Sequence, residues 1–252
     1  MRVTLFQMSV DPENVQANIE KIEASIDGST ADFLVFPEAC TSGFPYRRLK
    51  EVARANHAFL DSVLARQKAS GDNRTLLLPL LIEQGGQFFN RQFIVSRGQV
   101  QVTYDKIHLI GLLGEDRFLA AGERAASTDI HEFHAGLATC YDLRFPEIFR
   151  KLIPMGVNLF VIPAMWPVER ASHLGALARA RAIENLSYVI VCNATGQCGS
   201  LSLCGHSMIV DPKGEIVAEA AEEVTTLTAN LSLEVVKSWR AAFPALDDMR
   251  ML

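Results

Sequence analysis

Cys140 ends the apolar run Ala135–Thr139 and opens a polar segment, Tyr141-Asp142-Leu143-Arg144-Phe145-Pro146-Glu147. A strand end that turns into a helix start would hold this thiol beside free backbone N–H groups, where a thiolate is favoured. The chemistry such a thiol offers is nucleophilic attack, and at neutral pH it needs a base or a positive field. Glu38 supplies a base, at the end of the buried-looking strand Phe33-Leu34-Val35-Phe36-Pro37 and ahead of Ala39. Partial desolvation there would make its carboxylate better at taking a proton. Lys106, in Tyr104-Asp105-Lys106-Ile107-His108-Leu109, supplies a cation for the thiolate and for the negative oxygen of a tetrahedral intermediate.

Each residue alone also has a plainer reading: a small core cysteine, a solvated strand end, a surface lysine. Together, and in that chain order at the ends of apolar strands, they resemble the nitrilase (carbon–nitrogen hydrolase) superfamily. The resemblance runs from the first strand past Gly205-His206-Ser207. It implies an α/β fold: a four-layer α-β-β-α sandwich of two mixed sheets with outer helices. It implies that Glu115, in Gly114-Glu115-Asp116-Arg117-Phe118-Leu119, holds the lysine and orients substrate, and that the Tyr141 N–H completes the oxyanion site. Within the superfamily the chain is most similar to the ω-amidase branch, which includes 2-oxoglutaramate amidases. Three stretches carry this: Cys140–Glu147, Ala180-Arg181-Ala182-Ile183-Glu184-Asn185, and Phe243-Pro244-Ala245-Leu246-Asp247-Asp248-Met249-Arg250. Ile110 departs from the branch, where an aromatic residue is common.

The implied reaction is hydrolysis of a small ω-amide to a carboxylic acid and ammonia through a thioester, with neither metal nor organic cofactor. A carbamoylase or nitrilase would use the same Glu38, Lys106 and Cys140, because specificity lies in the pocket walls. A catalytically silent binding or assembly protein on this fold is the reading from another class, and it predicts a lost triad member. An ω-amide of a small dicarboxylate brings a free carboxylate that must meet a cation. Arg144 is placed to bind it, or else to brace the loop by pairing with Glu147 or another acid. Trp166, in Ala164-Met165-Trp166-Pro167, is a pocket wall or a core residue. Cys192, Cys198, Cys204 and His206 offer a zinc cluster on paper, but their spacing lacks a Cys-x2-Cys pair. His108 reads as a structural hydrogen-bonding residue more than as a base.

These residues need strands to end where they stand. Val3–Met8, Asp32–Phe36 and Thr75–Ile82 (interrupted by Pro79) read as strands, and Phe88–Ser96 with Gln99–Tyr104 as a hairpin turning at Arg97-Gly98. Asn14–Ile26 carries Val15, Ile19, Ile22 and Ile26 at helical spacing, and Tyr46–Lys68 reads as two helices. The second half repeats the scheme: strand Gly136–Cys140, helix Pro146–Met155, strand Asn158–Ile162, helix Ser172–Leu186, strand Tyr188–Cys192, and a hairpin His206–Val210/Glu215–Glu219. Hairpins among alternating elements argue for mixed sheets.

The chain has 252 residues, 49% of them hydrophobic, which suffices for one large domain over 1–252. A net charge of −5 without basic runs argues against nucleic-acid or membrane partners, and no apolar stretch is long enough to span a membrane. An odd count of five cysteines argues against a disulfide framework and for a reduced, cytoplasmic setting. The expected partners are a small-molecule substrate and further copies of the chain, as a homodimer or larger homo-oligomer. The tail 238–252, with Trp239, Phe243 and Leu246 needing burial, is expected to pack on a partner subunit.

Overall fold

Residues 1–250 are described by a computed structural model. Its first half runs β1 (Arg2–Gln7), α1 (Val15–Gly28), β2 (Phe33–Val35), α2 (Leu49–Ser70), β3 (Thr75–Gln84), β4 (Gln87–Ser96) and β5 (Gln99–Asp105). β1, β2 and β3 are parallel, and the helices α1 and α2 supply the crossovers that parallel pairing demands. β3, β4 and β5 are antiparallel, joined at Gly85-Gly86 and Arg97-Gly98. All four of these turn residues have positive φ, the geometry that matches a two-residue hairpin loop to strand twist.

The second half runs β6 (Ala126–Ile130), β7 (Phe133–Leu137), α3 (Pro146–Leu152), β8 (Leu159–Ala164), α4 (Ala171–Asn185) and β9 (Tyr188–Asn193). A small hairpin, β10 (Thr195–Cys198) and β11 (Leu201–Cys204), precedes β12 (Met208–Val210), β13 (Ile216–Glu219), β14 (Thr225–Asn230) and α5 (Leu233–Ala242). The two six-stranded sheets have the orders β14-β1-β2-β3-β4-β5 and β13-β12-β9-β8-β7-β6. Each has a parallel centre, β1–β3 or β7–β9, with antiparallel strands on both flanks. The likeness of the two halves, faint in the residues, is therefore a likeness of topology.

Three apolar layers explain the stacking. Val3, Leu5, Val35, Leu77, Leu137, Val161 and Ile190 face one another between the sheets. Alternate residues of the first sheet, such as Leu34, Leu76 and Leu78, meet Ile19 and Ile22 of α1 and Phe59 and Val63 of α2. Phe160, Ile162 and Val189 of the second sheet meet Phe149 of α3 and Leu174 and Ala178 of α4. Strands apolar on both faces belong in a sheet covered on both sides, so the expected α-β-β-α sandwich is what forms.

Several boundaries differ from the sequence reading. β3 runs through Pro79 without a break, because β2 ends at Val35 and no strand lies beside Pro79 on that flank. The Pro79 carbonyl instead accepts from Cys40 N at 3.2 Å. Tyr46–Lys68 is a 3₁₀ turn, Tyr46–Arg48, followed by the single helix α2. Pro146–Met155 divides into α3 and a 3₁₀ turn at Ile153–Met155, since Pro154 cannot donate within a continuing helix. β6, β10, β11 and β14 are short or polar and gave no periodic signal.

Part of the tail packs on the chain itself. Leu246 and Met249 pack on the chain's own second-sheet layer, and Arg150 Nη1 donates to Met249 Sδ at 3.1 Å. Arg240 of α5 clamps the end of α4 by donating to the carbonyls of Leu186, Val157 and Asn185 and to Ser187 Oγ. The Trp239 ring lies 5.7 Å from that of Phe243 and tilted by 34°, and Phe243 stays 52% exposed. Residues 251 and 252 of that tail lie outside the described residues.

Candidate active site

The site forms where β2, β5, β7 and β8 end, at the carboxyl edge of the parallel strands where open α/β sheets bind ligands. Glu38 stands just beyond β2 and Lys106 just after β5. β7 stops at Leu137, so Cys140 lies past the strand end expected for it and opens a 3₁₀ turn, Cys140–Arg144. Cys140 and Ala39, the residue after Glu38, both have φ of 44°. Non-glycine residues rarely adopt this conformation, and it gathers at functional turns that the surrounding structure holds in place.

Lys106 Nζ lies 2.9 Å from Glu38 Oε1 and 2.9 Å from both oxygens of Glu115. All three side chains are buried. Burial alone would lower the pKa of the ammonium, but the charges of Glu38 and Glu115 outweigh it and hold Lys106 well above the ordinary lysine range. Glu115 is nevertheless raised above the usual carboxylate range. Its burial exceeds the opposing pull of Lys106, and Glu38 adds to the rise. One cation thus serves two buried carboxylates and cannot fully compensate both.

Cys140 is buried among them, and its thiol is held well above its ordinary pKa, first by burial and next by the charge of Glu38. Lys106 and the Met165 N–H pull the other way without prevailing. Burial thus works against the thiolate that a strand end beside free N–H groups would favour, and the thiol needs the neighbouring carboxylate to take its proton. Cys40 and Cys192 are also raised by burial, so a shifted thiol does not single out Cys140. The base and ammonium beside it do. The rate of Cys140 alkylation by iodoacetamide should therefore climb steadily to at least about pH 9. A plateau near neutrality would mean a stable thiolate and contradict this geometry.

Around this centre stand groups that sequence reasoning missed. Asp142, fully buried, accepts from Thr139 N at 2.9 Å, Tyr104 Oη at 2.6 Å and His108 N at 2.9 Å, with His108 Nδ1 at 2.9 Å as well. It fastens the nucleophile turn to the strand that ends in Lys106. His108 therefore has the structural hydrogen bond expected of it, and its ring stacks on Phe145 at 3.7 Å. Asn193 Oδ1 accepts from Trp166 N at 2.7 Å. Asn90 Nδ2 donates to Glu38 Oε1 at 2.7 Å, and Gln92 Nε2 donates to Ala138 O. The one available signal was a polar side chain inside an apolar strand pattern, which the strands carrying Asn90, Gln92 and Asn193 show.

A cleft of about 570 Å³ opens over Cys140, lined by Tyr141, Arg144, Met165, Trp166, His173 and the apolar segment Ile110–Leu113. Trp166 is pocket wall and core together: it is 2% exposed, and its Nε1 donates to Arg170 O at 2.7 Å. The Arg144 guanidinium lies over the Trp166 ring at 4.6 Å and over Tyr141 at 5.9 Å. Its polar neighbour is His173 Nδ1 at 3.4 Å. Among the described residues Arg144 pairs with no carboxylate, so the Glu147 brace does not form. The cysteines weighed for zinc are dispersed. Cys192 donates to Val35 O between the sheets, Cys204 sits against Asn193, and His206 faces Glu219. Among the described residues no three metal-ligating side chains are grouped, and no helix is long and apolar enough to cross a membrane.

A strand-end thiol beside a Glu–Lys–Glu cluster, on two stacked mixed sheets, defines a class of hydrolase. Residues 2–241 match the carbon–nitrogen hydrolase family, and the chain belongs to it. It is 36% identical to a 2-oxoglutaramate amidase of Paenarthrobacter nicotinovorans over 94% of this chain and 85% of that protein. It is 32% identical to an omega-amidase of Escherichia coli strain K12 over 98% of this chain and 96% of the relative. A carbon–nitrogen hydrolase superfamily protein of Xanthomonas campestris superposes with a TM-score of 0.91 at 27% identity, covering 100% and 98% of the two chains. An amidase of Nesterenkonia sp. superposes at 0.83 with 26% identity, covering 98% and 95%. The superfamily resemblance and the sandwich expected from the sequence are both upheld.

Proposed function

We propose that the chain is a cysteine-dependent amidase that hydrolyses a small ω-amide carrying a carboxylate at its far end, such as 2-oxoglutaramate. The observation that carries this reading is a buried ammonium, 2.9 Å from two carboxylates, beside a buried thiol at the floor of an open cleft. Glu38 takes the Sγ proton as sulfur adds to the amide carbon. Lys106 Nζ and the Tyr141 N–H hold the resulting oxyanion. Tyr141 is the second residue of its turn, where an N–H has no partner within the turn. Glu38 returns the proton to nitrogen, the C–N bond breaks, and ammonia leaves a thioester on Cys140. Glu38 then takes a proton from water, hydroxide adds to the thioester carbon, and the C–S bond breaks as Glu38 returns that proton to sulfur, giving the acid and the free thiol. Glu115 keeps Lys106 in place throughout.

Arg144 is the partner for the far carboxylate, its guanidinium 4.6 Å over the Trp166 ring and, among the described residues, paired with no acid. Arg144→Gln should raise KM for an anionic ω-amide by about 30-fold, near the low end for losing one partner of a charge pair. It should leave a neutral short-chain amide within about twofold of wild type. A panel of ω-amides, neutral amides, nitriles and N-carbamoyl amino acids, assayed by ammonia release, tests the substrate class. Fast release from a nitrile or carbamoyl compound alone would discard the amidase reading, and equal Arg144→Gln losses on neutral and anionic amides would discard the carboxylate role.

A homodimer in a reducing cytoplasm accompanies this proposal. The exposed Phe243 beside Trp239 and the five free cysteines support it. A monomer by light scattering at micromolar concentration would overturn the oligomer.

A further inference from the structure

β4 sends two amide side chains from the first sheet into the site. Asn90 and Gln92 are two apart on a strand and so share a face. They are 1% and 0% exposed. Asn90 Nδ2 donates to Glu38 Oε1 at 2.7 Å. Gln92 Nε2 crosses to the second sheet and donates at 2.7 Å to both Ala138 O and Thr139 Oγ1, just ahead of Cys140. The Lys106 N–H in turn donates to Asn90 O at 3.0 Å. One strand therefore touches the base, the lysine and the nucleophile turn.

Packing does not call for amides here. Asn90 Oδ1 and Gln92 Oε1 are buried with no donor among the described residues. An unpaired buried acceptor costs about 1–3 kcal/mol, and an apolar side chain of similar size would avoid that cost. Rotating the amides brings no relief. It would set Asn90 Oδ1 against the Glu38 carboxylate and Gln92 Oε1 against the Ala138 carbonyl. Each amide is therefore oriented by what its nitrogen holds.

The two oxygens of Glu38 are also unequal. Oε1 receives both Lys106 Nζ and Asn90 Nδ2. Oε2 receives only the Met165 N–H, at 3.0 Å, the same N–H that pulls on the Cys140 thiol. Oε2 is thus the less occupied oxygen, with a lone pair left to accept a proton.

We propose that Asn90 and Gln92 are positioning residues for this reaction: an amide pair on one strand that fixes Glu38 and the Cys140 turn across the gap between the sheets, leaving Oε2 to move the proton. The proposal rests on the Cys140 amidase reading. Their effect lies in registry between two sheets, where a displacement of about 1 Å can cost about 100-fold in rate.

The test uses the full chain with Asn90→Ala, Gln92→Met and the double variant, beside Cys140→Ala. Ammonia release from the amide that wild type turns over fastest gives kcat and KM. Iodoacetamide gives the reactivity of Cys140 without any substrate, and a urea midpoint gives stability. Each single variant should lower kcat by about 10- to 100-fold with KM within about twofold, and slow alkylation of Cys140. The double variant should be little worse than the poorer single, because both act on one separation. Gln92→Met should hold or raise the urea midpoint, since its unpaired acceptor leaves with it. Unchanged kcat and alkylation in both singles, with release still dependent on Cys140, would overturn the positioning role alone. Release that survives in Cys140→Ala would overturn the amidase reading beneath it.

Discussion

Cys140→Ala should release ammonia at least about 10⁴-fold more slowly than wild type, on every amide that wild type accepts. The size of the effect follows from the mechanism, because no thioester can form without sulfur and, among the described residues, Cys140 is the one thiol lining the cleft. Cys192 and Cys40 are thiols too, but both are buried away from the cleft, donating to main-chain carbonyls at Val35 and Pro79. The variant should fold as wild type does. Alanine keeps the Cβ that Cys140 already carries at φ of 44°, so the backbone cost is unchanged and one buried sulfur atom is lost. A melting temperature within a few degrees of wild type, read beside the assay, separates lost chemistry from lost structure. Full activity in this variant would mean that another group attacks the amide.

Lys106→Met is expected to remove activity and stability together. Methionine fills the space of the lysine stem, so packing changes little, while Glu38 and Glu115 lose the ammonium they share at 2.9 Å. Breaking a buried ion pair from one side costs about 3–5 kcal/mol. For a chain of this length that is a fall of about 10 °C in melting temperature. The pH dependence has a definite sign. Burial, with Glu38 adding to it, already raises Glu115 above the usual carboxylate range, and Lys106 was the influence holding it down. Without Lys106 it rises further. A carboxylate raised in the folded state contributes stability below its unfolded pKa and loses it as pH climbs through the folded value. The variant should therefore regain stability against wild type as pH falls from 7 toward 5. Urea midpoints across that range measure this. A variant as stable as wild type at pH 7 would mean that Lys106 is not the shared counter-ion of two buried acids.

How much of the site was legible varies with where each residue's partners lie. Glu38, Lys106 and Cys140 were visible because each ends an apolar strand, and a charged or reactive residue there stands out against its neighbours. Asp142 was not. Its partners, Tyr104 and His108, sit 38 and 34 residues away, and nothing in Cys-Tyr-Asp-Leu-Arg tells a buried acceptor from a solvated acid. Asn90 and Gln92 lie on a hairpin arm whose sequence does not say which face is covered. Only the approach of the second sheet buries them. The thiolate expected at Cys140 is opposed for a related reason. A strand end suggests exposure to N–H groups and water, whereas Cys140 itself is buried at the floor of the cleft, so desolvation dominates.

By itself, then, the sequence marked most of the strands and helices that carry the site, from local patterns of apolar residues and the breaks in them. Its resemblance to the carbon–nitrogen hydrolases supplied the two-sheet sandwich and Glu38, Lys106 and Cys140 as candidate reacting groups. Tertiary structure decided the upward push on the Cys140 thiol, the sharing of one lysine by two acids, the freedom of Arg144 from Glu147, and the partners of each amide on β4. Those depend on burial and on distances between residues far apart in the chain, and both come into being only when the two sheets close on each other.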